Sequence, residues 1–389
     1  MKVAALSALI FASLPIAAAL ADVRPTSAVL LTPRVRPAAF PKSALIPAEV
    51  AKLGESPVVA YQHEGKLFIV ARHEGAEPAL SGTFRGRLQR IDDGLANLWG
   101  AAFEVDSLDR AILDIIVTAD AGFVGYFQFR GSAAGPMPVD ALRAGVMVRQ
   151  TVTGAQSGLT RRIAIYRPRN SSRSSRMMYV LDLAESPDSF FRRVDALIYE
   201  QVISPVIIIA LPAGDGISTV RISDMQRRSE LRLQERVSGL NPAVYRRYEQ
   251  FIFDDLAPAL TREYQVGQNR EQVAFVGTSA SATWVLHQAR HRPGEAGVWG
   301  AFSLPNNPVD RLPDNASERI FMGGGAFDLE YTVNGLAKCT EILRLGGDCR
   351  FTVVNAGHSQ SAWDELIADL LINWEDLSTR EGGGGAVRP

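Results

Sequence analysis

From about residue 145 onward the chain alternates between two hydrophobic rhythms. Runs such as MMYVLDL, SPVIIIALP, QVAFVG, VWGAFSL, RIFMGG and RFTVVN are continuously apolar, which predicts strands covered on both faces. Between them, FFRRVDALIYEQ, NPAVYRRYEQFIFDDLAPALTREY, SATWVLHQARH and TVNGLAKCTEILRLG mix apolar and polar residues over helical lengths. Ahead of this series VMVRQTV and RRIAIYRP look like an antiparallel pair. Alternating β and α units of this length specify an α/β fold, a mostly parallel sheet flanked by helices and joined by right-handed crossovers. Chemistry in such a sheet is expected at the carboxyl ends of the strands.

The first third of the chain reads differently. Between residues 58 and 130, LFIVAR, LWGAAFEV, AILDIIVTA and GYFQFR are separated by turn residues at regular intervals, the pattern of a small β-sandwich. Trp99 and Phe103 are expected in its core. Residues 131–138, GSAAGPMP, form a small-residue linker, so the sandwich is placed at 58–134 and the α/β unit at 135–378. Residues 22–57 are rich in proline and alanine without periodicity, which suggests an extended lead-in rather than a packed element. Residues 379–389, ending in EGGGGAVRP, are expected to form a disordered tail.

Charge narrows the partners. Lys plus Arg total 41 against 42 Asp plus Glu, so no net field favours nucleic acid or an anionic membrane. The opening MKVAALSALIFASLPIAAALA combines an early lysine, an apolar run and Ala19-Leu20-Ala21, a secretory leader expected to be cut before Asp22. The run is too short for a stable membrane anchor and contains Pro15. A periplasmic or secreted product is the expectation. There the two cysteines, Cys339 and Cys349, are expected to pair, two free thiols being the alternative.

The chemistry-bearing residues lie in the second unit. QVAFVGTSASATWVLHQARH sets Ser279 between an apolar strand and a helix, with Gly277, Ala280, Ser281 and Ala282 around it. Tiny neighbours let strand and helix approach closely while the hydroxyl projects, as in a nucleophile elbow, and the Ala280 amide at the helix start is a candidate oxyanion donor. Serine is also a common helix N-cap, so the motif alone leaves two roles open. The order of the polar residues downstream favours catalysis: Asp328 comes after one strand, with Glu330 as a fallback acid, and His358 after the next. Serine, acid, histidine is the chain order of α/β-hydrolases. Of five histidines His358 alone is placed to act as base. His287 and His291 are four apart, but Gln288 stands where HExxH has glutamate and no third ligand is evident, so neither a metal nor another cofactor is indicated.

GTSAS, RRIAIYRP, YVLDL, the RRSEL segment at 227–231, FDDLAPAL and GHSQSAW together resemble the putative-esterase family of α/β-hydrolases. The two-part layout over most of residues 58–375 resembles enterochelin esterases. That resemblance implies Ser279, Asp328 and His358 as a catalytic triad and an immunoglobulin-like cap that narrows the substrate cleft. It also implies an oxyanion and substrate region drawing on Ala280, Leu183, Arg228, Glu230 and Trp363. Two positions depart from the pattern: Leu183 follows Asp182 where relatives often have glycine, and Ser281 replaces the second glycine of G-x-S-x-G. The implied activity is hydrolysis of a small-molecule carboxylic ester, siderophore-like or aryl, through an acyl-enzyme. An acyltransferase on the same fold and a non-catalytic ligand-binding protein are the alternatives.

Overall fold

The computed structural model describes residues 35–381 apart from 84, 92–96, 120–121, 135–140, 184–186, 213–221 and 307–317. The expected leader, the first part of the lead-in, half of the expected linker and the end of the tail lie outside the described residues.

The N-terminal unit is two antiparallel sheets. β1 (Val35–Ala38), β2 (Val58–His63), β3 (Lys66–Arg72), β6 (Gln89–Arg90) and β7 (Leu98–Val105) make one. The second contains β4 (Ala79–Gly82), β5 (Gly86–Arg87), β8 (Ile112–Ala119) and β9 (Gly122–Arg130). Leu67, Ile69, Trp99 and Phe103 from the first meet Leu113, Ile115, Val117 and Phe129 from the second in one apolar core.

The lead-in departs from expectation, because part of it packs. β1 pairs with β7 along the sheet edge, with Pro37 opposite Phe103. An edge strand tolerates proline because the missing N–H can face away from the ladder. The following residues, with α1 (Pro47–Ala51), cover the outer face of the same sheet. Ala44 and Leu53 are buried there against Val59, Phe68 and Val70, and the Tyr61 hydroxyl donates to the Ala44 carbonyl at 2.7 Å. This covering explains why KLFIVAR is apolar on both faces.

The α/β unit is built on eight strands: β10 (Gly145–Thr153), β11 (Thr160–Pro168), β12 (Arg176–Leu181), β13 (Val206–Leu211), β14 (Val273–Thr278), β15 (Val298–Phe302), β16 (Arg319–Gly325) and β17 (Asp348–Val354). Their order is β10-β11-β13-β12-β14-β15-β16-β17, parallel from β13 to β17 and antiparallel at the β10–β11 and β11–β13 pairs.

Both faces are covered. α2 (Asp188–Tyr199) and α8 (Gln360–Glu381) bury Phe190, Phe191, Leu366, Leu370 and Trp374 on one face. Truncating a fully buried phenylalanine such as Phe190 to alanine costs ~3–5 kcal/mol. α8 runs to Glu381, so helix replaces the first three residues of the expected tail. The opposite face carries α4 (Pro242–Gln250), α5 (Ala257–Tyr264), α6 (Ala280–His291) and α7 (Leu329–Arg344), following α3 (Ile222–Arg236) in the chain. Phe251–Leu256 winds as a π-helical turn between α4 and α5. Pro258 cannot bond the Asp254 carbonyl, which accepts from Gln156 Nε2 at 3.2 Å instead. Cys339 on α7 is bonded to Cys349 on β17, with Cα atoms 5.5 Å apart.

The units meet around the segment after β17. The Ile112 amide donates to the Asn355 carbonyl at 2.9 Å, Asn355 Nδ2 donates to the Ser107 carbonyl at 2.9 Å, and Arg130 pairs with Glu365 at 3.2 Å. Gly357 is packed so closely that an added Cβ would lie 2.9 Å from the Thr83 side chain.

Candidate active site

Ser279 occupies the junction of β14 and α6 with φ 54° and ψ −125°, a conformation that costs a non-glycine residue ~1–3 kcal/mol. The turn is held from both sides: the Ser279 amide donates to the Phe302 carbonyl, and its carbonyl accepts from the Ala282 amide, each at 2.9 Å. Gly277 is required by the close crossing, since a Cβ there would lie 2.2 Å from the Ser281 carbonyl oxygen. Although Ser279 stands at the N-cap position, its side chain makes no cap bond. The hydroxyl is turned toward His358 instead.

His358 Nε2 lies 3.2 Å from Ser279 Oγ, and its Nδ1 lies 2.7 Å from Asp328 Oδ2. Asp328 is likewise at an N-cap, that of α7, with no cap bond from its carboxylate. Its backbone does the anchoring: the amide donates to the Gly325 carbonyl at 2.9 Å and the carbonyl accepts from the Thr332 amide at 3.0 Å. Asp328 is buried whereas Glu330 is exposed on the first turn of α7. The imidazole lies between Tyr331, with centroids 4.2 Å apart, and Trp363, at 5.2 Å and edge-on. Trp363 Nε1 donates to Ser303 Oγ at 3.1 Å. Burial, with the charges of Asp328 and Glu330, pushes the Tyr331 phenol above its ordinary range and keeps it neutral.

Other expected residues are distributed unevenly. Ala280 is buried at the start of α6, next to Ser279. Leu183 is buried with its side chain among the core residues of the α2/α8 face, so any role in the site falls to its backbone. Glu230 is exposed on α3, and the Arg228 side chain lies outside the described residues. The arginines that reach the elbow come one and two turns later. Arg232 Nε is 2.5 Å from Asp182 Oδ2, and Arg236 Nη2 is 3.0 Å from Asp182 Oδ1. Ser281, the residue in place of glycine, donates its hydroxyl to Asp182 and accepts from Arg236 Nε at 2.7 Å. The Arg236 guanidinium also stacks 3.9 Å over the Tyr248 ring. This buried network ties the start of α6 to the end of β12. Burial alone would raise the Asp182 carboxyl, but Arg236 and Arg232 hold it below its ordinary 3.8. Sequence reasoning missed it; the one available signal was the four-residue spacing of Arg228, Arg232 and Arg236.

His287 and His291 have ring centroids 4.1 Å apart on α6, and His287 Nδ1 is 2.8 Å from the Tyr245 hydroxyl. Among the described residues no group of three His, Cys, Asp or Glu is placed to hold a metal ion.

A cleft of ≈ 560 Å³ opens beside His358 between the two units, with Asp114 and Gln128 on one wall and Arg192 and Gln360 on the other. A strained serine at a strand–helix elbow, bonded to a histidine that is in turn bonded to a buried carboxylate, is the arrangement expected of an α/β-hydrolase site. The family model described as "Putative esterase" matches residues 155–365, more than half of the chain, and the protein belongs to that family. It is a carboxylic-ester hydrolase. Among solved structures it is similar to the enterobactin esterase of Shigella flexneri, at 13% identity and TM-score 0.62, covering 85% of this chain and 100% of that one. The ferric enterobactin esterase of Salmonella typhimurium is similar too, at 12% identity and TM-score 0.59, covering 85% and 99%. At such identities the likeness concerns the fold. No curated protein matches the sequence.

Proposed function

We propose that the protein is an exported serine esterase that works through an acyl-enzyme on Ser279. The observation that carries this reading is the continuous relay from Ser279 Oγ to His358 Nε2 at 3.2 Å and from His358 Nδ1 to Asp328 at 2.7 Å. His358 takes the serine proton as Oγ attacks the ester carbonyl, while Asp328 holds the Nδ1–H tautomer and stabilises the imidazolium. The Ala280 amide, at the free N-terminal end of α6, receives the oxyanion. Collapse of the tetrahedral intermediate returns the proton from His358 to the leaving alcohol. Water, deprotonated by the same imidazole, then releases the acid and restores Ser279.

The leader at residues 1–21, with a mature start at Asp22, supports export to the periplasm or beyond, and the Cys339–Cys349 bond suits an oxidising compartment. No helix among the described residues is long and apolar enough to cross a membrane. A siderophore-like or other aryl or hydroxy-acid ester is the substrate class suggested by a two-part layout shared with enterobactin esterases.

Fluorophosphonate labelling of the mature protein beside Ser279→Ala, with mass mapping of the modified peptide, tests the reading. The expected result is label on Ser279 alone and loss of ester turnover by about 10⁴-fold or more in the variant. A folded wild-type protein that takes no label would sink it.

A further inference from the structure

Among the charged groups that line the cleft beside His358, Arg192 and Asp114 make no ion pair among the described residues and each leaves a buried polar atom without a hydrogen bond. Three arginines stand near the cleft, and two are already engaged: Glu365 takes Arg130 on one oxygen and Arg193 on the other. Arg192, the neighbouring residue on the first turns of α2, lines the same cleft without an acidic partner among the described residues. Its Nε is shut away from solvent and has no acceptor there. On the facing wall Asp114 is about nine-tenths buried. One of its oxygens accepts from the Tyr126 hydroxyl and from Gln128 Nε2, while Oδ2 is buried with no donor among the described residues.

Buried ionic groups without partners are costly, and folded proteins keep few of them. Here one buried atom of each of two oppositely charged groups, Arg192 Nε and Asp114 Oδ2, lacks a partner among the described residues, and both residues line one cavity of ≈ 560 Å³ that His358 also lines. A ligand carboxylate satisfies the guanidinium with charge-assisted hydrogen bonds. The same carboxylate is repelled by Asp114, which limits it to one wall.

We propose that this cleft selects esters bearing a carboxylate on the part of the substrate that lies between the two units, with Arg192 receiving the carboxylate and Asp114 keeping it off the opposite wall. The proposal rests on the esterase reading for its position relative to the reacting carbonyl. The carboxylate can belong to the acyl part or to the alcohol part, and the chemistry at Arg192 is the same for both.

Two matched pairs of esters distinguish these sources: 4-carboxyphenyl butanoate against its methyl ester, and 4-nitrophenyl hydrogen adipate against its methyl ester. The quantity read is the ratio of kcat/KM for the acid to that for the neutral ester. Wild type is expected to prefer the acid in one pair, and that pair identifies the side of the ester in the cleft. Arg192→Gln should lower the ratio by about tenfold or more, mainly through KM, and Arg192→Lys should recover part of it. Asp114→Asn should shift the ratio the opposite way, a response that mere loosening of the fold does not produce. Arg149→Gln, which removes an exposed charge paired with Asp188 outside the cleft, is the control for general electrostatics. No acid preference in either pair, or equal shifts in Arg192→Gln and Arg149→Gln, overturns the proposal and leaves the esterase intact. If wild type hydrolyses none of the four esters, calorimetry with 4-hydroxybenzoate and adipate decides separately. Binding that is lost in Arg192→Gln sustains the carboxylate site, and absence of binding to wild type refutes it.

Discussion

Asp182→Asn tests whether the buried charge network is what locks the turn at Ser279 in place. The substitution keeps the size of the side chain and an acceptor for the Ser281 hydroxyl, but removes the charge that two arginines share. Asp182 and Arg236 have side chains 4% and 0% exposed, so solvent screening does not soften the loss. Breaking one partner out of such a pair costs ~3–5 kcal/mol, because the remaining guanidinium stays buried with Glu235, at 3.6 Å, as its one remaining acidic partner among the described residues. With a urea slope of about 3 kcal/mol/M, the unfolding midpoint of the α/β unit should fall by about 1–1.7 M. Trp284 is a suitable fluorophore, since its ring meets Tyr248, the ring under Arg236, at 5.8 Å. The pH dependence has a definite sign. The folded carboxyl lies below its ordinary 3.8, so its contribution is present above that value and lost as pH falls through the folded pKa. The gap between wild type and Asp182→Asn should therefore be constant near neutrality and close below about pH 4. A midpoint shift under about 0.3 M, or a gap that persists unchanged into acid, would refute the assignment. Ser281→Ala removes only the bridging hydroxyl and should cost less, ~1–3 kcal/mol, with strong non-additivity in the double variant.

Gly277→Ala places a methyl 2.2 Å from the Ser281 carbonyl, so strand and helix must part; kcat is expected to fall about 100-fold with the fold retained by circular dichroism. Reducing the Cys339–Cys349 bond, which closes a loop spanning 10 residues, should lower stability by ~3 kcal/mol, read as a lower urea midpoint in dithiothreitol and absent from a Cys339→Ala/Cys349→Ala variant.

Much of this molecule is visible in the pattern of its residues because burial on two faces leaves a plain trace. SPVIIIALP has no polar alternate position and becomes β13, buried throughout. The candidate triad is visible for a related reason: each member follows a strand, and the fold brings successive strand ends to one edge. The lead-in is hidden because proline breaks the alternation that marks a strand, and an edge position forgives what an interior one does not. The Asp182 network is hidden for a deeper reason. Arginine on a helix normally reads as a solvated face, and nothing local announces that Arg232 and Arg236 meet an acid 50 and 54 residues earlier. RRSEL lies on the right helix, but one turn short of the arginines that reach the elbow.

The short segment after β17 bears on the history of this protein. Asn355, Gly357 and Ser361 bond or pack against Ser107, Thr83 and Gln128 of the N-terminal unit, and His358 sits among them. The proposed general base thus rides on a seam, answering to two lobes at once. A cap borrowed from a distant relative would bring new walls for the cleft but a mismatched seat for the imidazole. Substrate range in such a protein cannot drift by exchanging the cap alone; changes on the two sides of the seam have to arrive together, or in an order that never unseats the histidine.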